Sequence, residues 1–94
     1  MKASEYKNMI LSFLAGSISA IDFVRQYQSA FFAEASKMDR QFFDILENLW
    51  EDVEAFSPEW SKSDEEQFPW RITEPTLRQE ADEALAELNQ YMAD

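Results

Sequence analysis

The sequence predicts an all-α protein, an antiparallel four-helix bundle with a long acidic, aromatic-rich connection between its third and fourth helices. Three observations carry that expectation. Apolar residues recur in steps of three and four through four separate segments, the periodicity of one face of a helix. Gly16 is the single glycine of 94 residues, too few for the tight turns of a sheet-rich fold. Hydrophobic residues make up 46% and aromatic residues 15% of the chain, more than an acidic disordered segment carries, so the chain folds despite a net charge of −11. The length allows one compact core, and residues 1–94 are read as a single domain.

Tyr6, Ile10, Phe13 and Leu14 line one face of a first helix from Ala3 to Ala15. Gly16 then stands where a helix ends in a left-handed residue. Ser19 and Asp22 have capping-box spacing, so a second helix is expected from Ala20 to Ser36 with the stripe Ala20, Phe23, Val24, Tyr27 and Phe31. The short link between the two favours antiparallel packing.

Asp39 can cap a third helix, in which Phe42, Leu46, Leu49, Val53 and Phe56 form a bundle seam. Phe43 and Trp50 widen that seam, and Asp44, Glu47, Glu51, Asp52 and Glu54 take the remaining surface. Pro58 stops the helix near Phe56. Thr73 or Glu74 can cap the last helix, with Pro75 tolerated in its first turn and Leu77, Ala81, Ala84, Leu85, Leu88, Tyr91 and Met92 as its buried stripe.

Between the last two helices lies FSPEWSKSDEEQFPW, residues 56–70, read as an irregular stretch. It holds two of the three tryptophans, two of the three prolines and four carboxylates, with Lys62 as its one basic group. Connections this long in a compact bundle tend to be functional or disordered, and its large rings argue for order. Phe56, and Phe68 or Trp70, are expected to turn inward and seal the end of the bundle.

Residues 1–38 carry a balance of +1 and residues 39–94 a balance of −12. That field repels nucleic acid and anionic membrane and attracts a basic protein partner. The chain has no histidine and no cysteine, which removes the commonest general base, the commonest metal ligand and all thiol chemistry. The acids of ENLWEDVE and EADEALAE fall at helical spacing, but a di-metal bundle site also needs histidine, so they read as solvated faces and no metal or cofactor is expected. Nor is there a glycine-rich loop for phosphate or a nucleophile elbow, so an enzyme is not expected. Met9–Ala15 behind Lys2 and Lys7 imitates a secretion signal but is broken by Glu5, Asn8 and Ser12, and no segment reaches the roughly 20 apolar residues of a membrane span, so a cytoplasmic location is expected.

What remains is a recognition surface. Rings that fix a loop while Glu54, Glu59, Asp64, Glu65 and Glu66 project from it, close to Glu51 and Asp52, suit a basic cleft, with Trp60 available as an anchor.

FLAGSISAIDFVRQY over Phe13–Tyr27, LWEDVEAFSPEW over Leu49–Trp60 and the closing TLRQEADEALAEL together resemble the bacterial self-protective immunity proteins of the colicin D type. The pattern F-L-A-x-x-I-[ST]-A-I-[DE]-F falls on Phe13, Leu14, Ala15, Ile18, Ser19, Ala20, Ile21, Asp22 and Phe23. F-x-P-[DE] falls on Phe56, Pro58 and Glu59. The resemblance implies a monomeric bundle that binds a basic, tRNA-cleaving nuclease toxin one to one and fills its active-site cleft. It places Glu54 and Glu59 at the centre of inhibition. Glu51, Asp52, Trp60, Asp64, Glu65 and Glu66 join that set on charge and position. Delivery of the toxin by a colicin or by contact-dependent growth inhibition is left open. The alternative is a small acidic adaptor or regulatory subunit for a basic partner unrelated to toxins.

Overall fold

A computed structural model describes residues 2–59, 61–68 and 70–93, with the side chains of Lys62 and Glu65 outside that description. Among these residues the chain is helical throughout: α1 is Ala3–Leu14, α2 Ala20–Glu34, α3 Arg40–Ala55, α4 Lys62–Gln67 and α5 Glu74–Ala93. The sole extended pairing among them is an isolated bridge between Phe56 and Ile72.

Local chemistry sets the helix ends. Gly16 has φ +81°, the left-handed conformation that costs a side-chain-bearing residue about 1 kcal/mol or more. It lets the Ser17 N–H donate to the Ser12 carbonyl at 2.8 Å and the Gly16 N–H to that of Phe13 at 3.0 Å, which closes α1 in a Schellman turn. Ser19 accepts from the Asp22 N–H at 3.1 Å and Asp39 from the Phe42 N–H at 2.9 Å, so both expected caps start their helices. The second helix stops at Glu34, two residues short of the expectation, because Ala35–Lys37 tighten into a 3₁₀ turn that leads into Asp39.

α1 packs against α2 and α5, and α3 packs against the same two helices. The core is rich in rings. Phe13 stacks on Phe23 at 4.4 Å between centroids, while Tyr6 meets Tyr27 and Phe42 edge-on at 5.9 and 5.7 Å. Such pairs add about 0.5–1.5 kcal/mol each to what burial alone supplies. Phe31 reaches Phe43 and Trp50 at 5.7 and 5.1 Å and joins α2 to α3.

The expected stripes hold for Tyr6, Ile10, Phe13, Ala20, Phe23, Tyr27, Phe31, Phe42, Leu46, Leu49, Val53, Leu77, Ala81, Ala84 and Leu88, all buried. Met9 and Ile45 are buried as well, since each lies one step to the side of its stripe on a helix with two packing partners. Met92 is a correction. It is 42% exposed, one residue from the end of α5.

The connection after α3 also departs from expectation. Lys62–Gln67 form a short helix rather than an irregular loop. Ser61 and Asp64 build a capping box between the two prolines that mask it in the sequence: the Asp64 N–H donates to Ser61 Oγ at 3.3 Å and the Ser61 N–H to Asp64 Oδ2 at 3.0 Å. Phe56 and Phe68 are half-buried. Trp70 is 66% exposed and does not seal the bundle, while the half-buried Phe68 meets the Trp70 ring at 5.3 Å between centroids and the Arg71 guanidinium at 4.8 Å.

Candidate functional site

At about 100° per residue, the wheel of α3 separates its acids. The buried stripe of Phe42, Leu46, Leu49 and Val53 points to the core. Asp52 lies on one flank of it, Glu54 lies about 160° around from Asp52 beside Trp50, and Glu51 points outward between them. Glu51 and Glu54 are exposed and Asp52 is half-buried.

Asp52 faces α5. It lines a narrow groove with Asn48, Leu49, Glu80, Glu83 and Ala84. Burial, then the charges of Glu80 and Glu51, push its carboxyl up to about 6. Glu80 is raised as well, chiefly by burial and by Glu83. Glu80 and Glu83 are members of this surface that the sequence reading assigned to a solvated face. The available signal was spacing, since Glu80, Glu83 and Glu87 share one side of α5 next to the small Ala84, where a neighbouring helix approaches closely.

The end of α3 is fixed by backbone pairing. The Ile72 N–H donates to the Ala55 carbonyl at 3.2 Å, and Phe56 bridges to Ile72, so the segment entering α5 is pinned beside Glu54 and the turn after it. Glu59 follows that turn, exposed, with its N–H donating to Ser57 Oγ at 3.4 Å.

Asp64 is engaged locally. Its Oδ2 accepts from both the N–H and, at 3.1 Å, the hydroxyl of Ser61. Those bonds, joined by attraction from Arg71, hold its carboxyl below the usual range. Glu66 is exposed on the same short helix. Trp60 and the side chain of Glu65 lie outside the described residues.

The expected set therefore falls into three groups: Glu51 and Asp52 with Glu80 and Glu83, Glu54 and Glu59 at the end of α3, and Asp64 and Glu66 on α4. The ion pairs seen among the described residues join Arg40 to Asp44 at 3.8 Å and Arg78 to Glu74 at 3.0 Å, and neither uses a member of the set. Among the described residues no cluster of Asp or Glu is arranged to hold a metal ion, and no helix is long and apolar enough to cross a membrane. Chemically the surface can do one thing well, which is to present carboxylates to cations.

Comparison with protein families matches residues 1–88 to the model for bacterial self-protective colicin-like immunity. Comparisons with curated proteins and with solved structures return no match.

Proposed function

The chain belongs to the bacterial self-protective, colicin-like immunity family, and on that premise we propose that it binds and silences a cognate nuclease toxin of the tRNA-cleaving kind. The scaffold in this reading is one domain, an antiparallel bundle. Contacts between early residues of one helix and late residues of its neighbour support that, as in Phe42 against Tyr91 and Arg78 against Phe13. One copy meets one toxin in the cytoplasm of the cell it protects.

A nuclease must hold phosphate and so lines its cleft with lysine and arginine. Glu51, Asp52, Glu54, Glu59, Asp64, Glu65 and Glu66, with Trp60 among them, offer carboxylates in place of the RNA backbone, and guanidinium groups pair with carboxylates as readily as with phosphates. Long-range attraction speeds encounter, and desolvated pairs slow release. Both matter for immunity, because one free toxin turns over many RNA molecules.

The observation that carries this reading is that Glu51, Glu54, Glu59 and Glu66 stand exposed while the ion pairs seen among the described residues lie elsewhere. Exposed carboxylates that make no ion pair among the described residues suit an external cation. The test is co-expression with a basic, tRNA-cleaving nuclease domain of the colicin D type: cells are expected to survive with the protein and to lose tRNA without it. Survival that does not depend on the protein contradicts the proposal. Retention of a basic non-toxin partner in its place returns the adaptor alternative.

A further inference from the structure

Trp70 is 66% exposed, whereas Trp50 packs against Phe31. An indole is the largest apolar side chain, and one left in water on a small protein is costly unless a partner covers it. This one is held in place. Its ring leans on Phe68 at 5.3 Å between centroids, and the Arg71 guanidinium sits 4.8 Å from the centroid of the Phe68 ring. The Arg71 N–H donates to the Phe68 carbonyl at 2.9 Å, closing a turn about the tryptophan. One residue further on, Ile72 is bonded to Ala55. The backbone thus pins Trp70 within a few residues of Glu54 on one side and the exposed Glu74 on the other.

We propose that Trp70 is an aromatic anchor of the toxin interface, its outward ring face taking an arginine or lysine of the toxin while neighbouring carboxylates pair with other cations of the cleft. The inference rests on the function proposed above and adds to it a residue assigned there no role. Charge decides the occupant. A ring face is electronegative and attracts cations, and the ring belongs to the half of the chain, residues 39–94, whose balance of −12 adds a long-range attraction for them. The chain packs its own cations the same way, Arg71 on Phe68 and Arg78 on Phe13 at 4.5 Å. A second copy of this chain would bring the same net charge of −11 and be repelled.

The test measures dissociation of that colicin D type nuclease domain from wild-type protein and from Trp70→Ala, Trp70→Phe and Trp70→Leu, each first shown by circular dichroism to melt as the wild type does. Trp70→Ala is expected to dissociate roughly tenfold faster, Trp70→Phe within about threefold of wild type, and Trp70→Leu close to Trp70→Ala because it keeps apolar area and loses the ring. Association rates should not change, since no charge is altered. If Trp70→Ala dissociates within twofold of wild type while Glu54→Lys weakens binding, this inference is wrong and the proposed function stands. Wild-type protein that fails to bind the domain sinks both. Wild-type self-association that Trp70→Ala abolishes overturns the anchor and marks the patch as a homodimer contact.

Discussion

Tyr6 and Tyr27 meet edge to face in the core at 5.9 Å between centroids, yet their hydroxyls have opposite fates. Tyr27 donates to the Leu46 carbonyl at 2.6 Å, whereas the buried Tyr6 hydroxyl has no hydrogen-bond partner among the described residues. A buried bond contributes about 1 kcal/mol, and a buried hydroxyl without one costs a similar amount or more. Tyr27→Phe should therefore destabilise the protein by about 1 kcal/mol, and Tyr6→Phe should be neutral or stabilising by up to about 1 kcal/mol. Urea melts of the two variants decide it, and equal losses for both would contradict the assignment.

Arg78 ties the start of α5 to the end of α1. It donates to the Phe13 carbonyl at 3.0 Å, lies over the Phe13 ring and pairs with Glu74. The last carbonyls of a helix lack their full set of donors, and the guanidinium supplies a second one to the Phe13 carbonyl, already bonded to the Gly16 N–H, and a longer contact of 3.4 Å to that of Leu14. Arg78→Ala is expected to cost about 2 kcal/mol, with Arg78→Lys recovering part of it, because a lysine cannot hold the same fork of bonds. Chemical denaturation measures this directly, and a loss below about 0.5 kcal/mol for Arg78→Ala would show that the contact does not stabilise the fold.

Asp52 gives stability a pH dependence of defined sign. Its carboxyl is raised from 3.8 to about 6 by burial, Glu80 and Glu51, so the folded chain holds that proton more tightly than the unfolded chain. Stability from this group is greatest below the ordinary value, falls as pH climbs from about 4 to about 6, and stays low above that window. Solvent screens a half-exposed side chain, so the expected loss is about 1 kcal/mol. Asp39 and Asp64, held below the usual range by Tyr91 and Ser61, act in the opposite sense, and their contribution fades only as pH drops below the ordinary carboxylate value. Asp52→Asn should flatten the decline between pH 4 and 6. Identical pH profiles for variant and wild type would remove Asp52 as its source.

Charge reversal separates folding from protection. Glu54 and Glu59 are exposed, so Glu54→Lys and Glu59→Lys should shift stability by less than about 0.5 kcal/mol. In the proposed interface each places a cation against the toxin's cations, and affinity should fall by about 100-fold or more. Melting curves beside survival assays in cells expressing the nuclease domain provide the check. Full protection by both folded variants would displace the interface from this end of α3.

Most of the helical frame could be read from residues. Ser19, Asp39 and Gly16 marked helix ends because capping is local chemistry, and the seam through Phe42, Leu46, Leu49 and Val53 followed from a period set by the backbone. Lys62–Gln67 was legible too, in the Ser61 and Asp64 pair, but the flanking prolines drew attention to interruption instead. The acidic surface was legible only as composition. That Asp52 turns toward Glu80 and Glu83 while Glu54 faces away is a matter of which helix lies on which flank, and charge counts along a chain do not contain it.

By itself, then, the sequence determined four amphipathic helices, the caps at Ser19 and Asp39, the stop at Gly16, the strong negative charge of residues 39–94 and the family to which the chain belongs. Each depends on neighbours in the chain or on similarity along it. Only the tertiary structure decided that α5 supplies half of the acidic groove, that Ile72 pins the connection to Ala55, and that Trp70 stays in water. Those facts arise from contacts between segments far apart in the chain, where packing, and not local propensity, selects which of several acceptable arrangements is adopted.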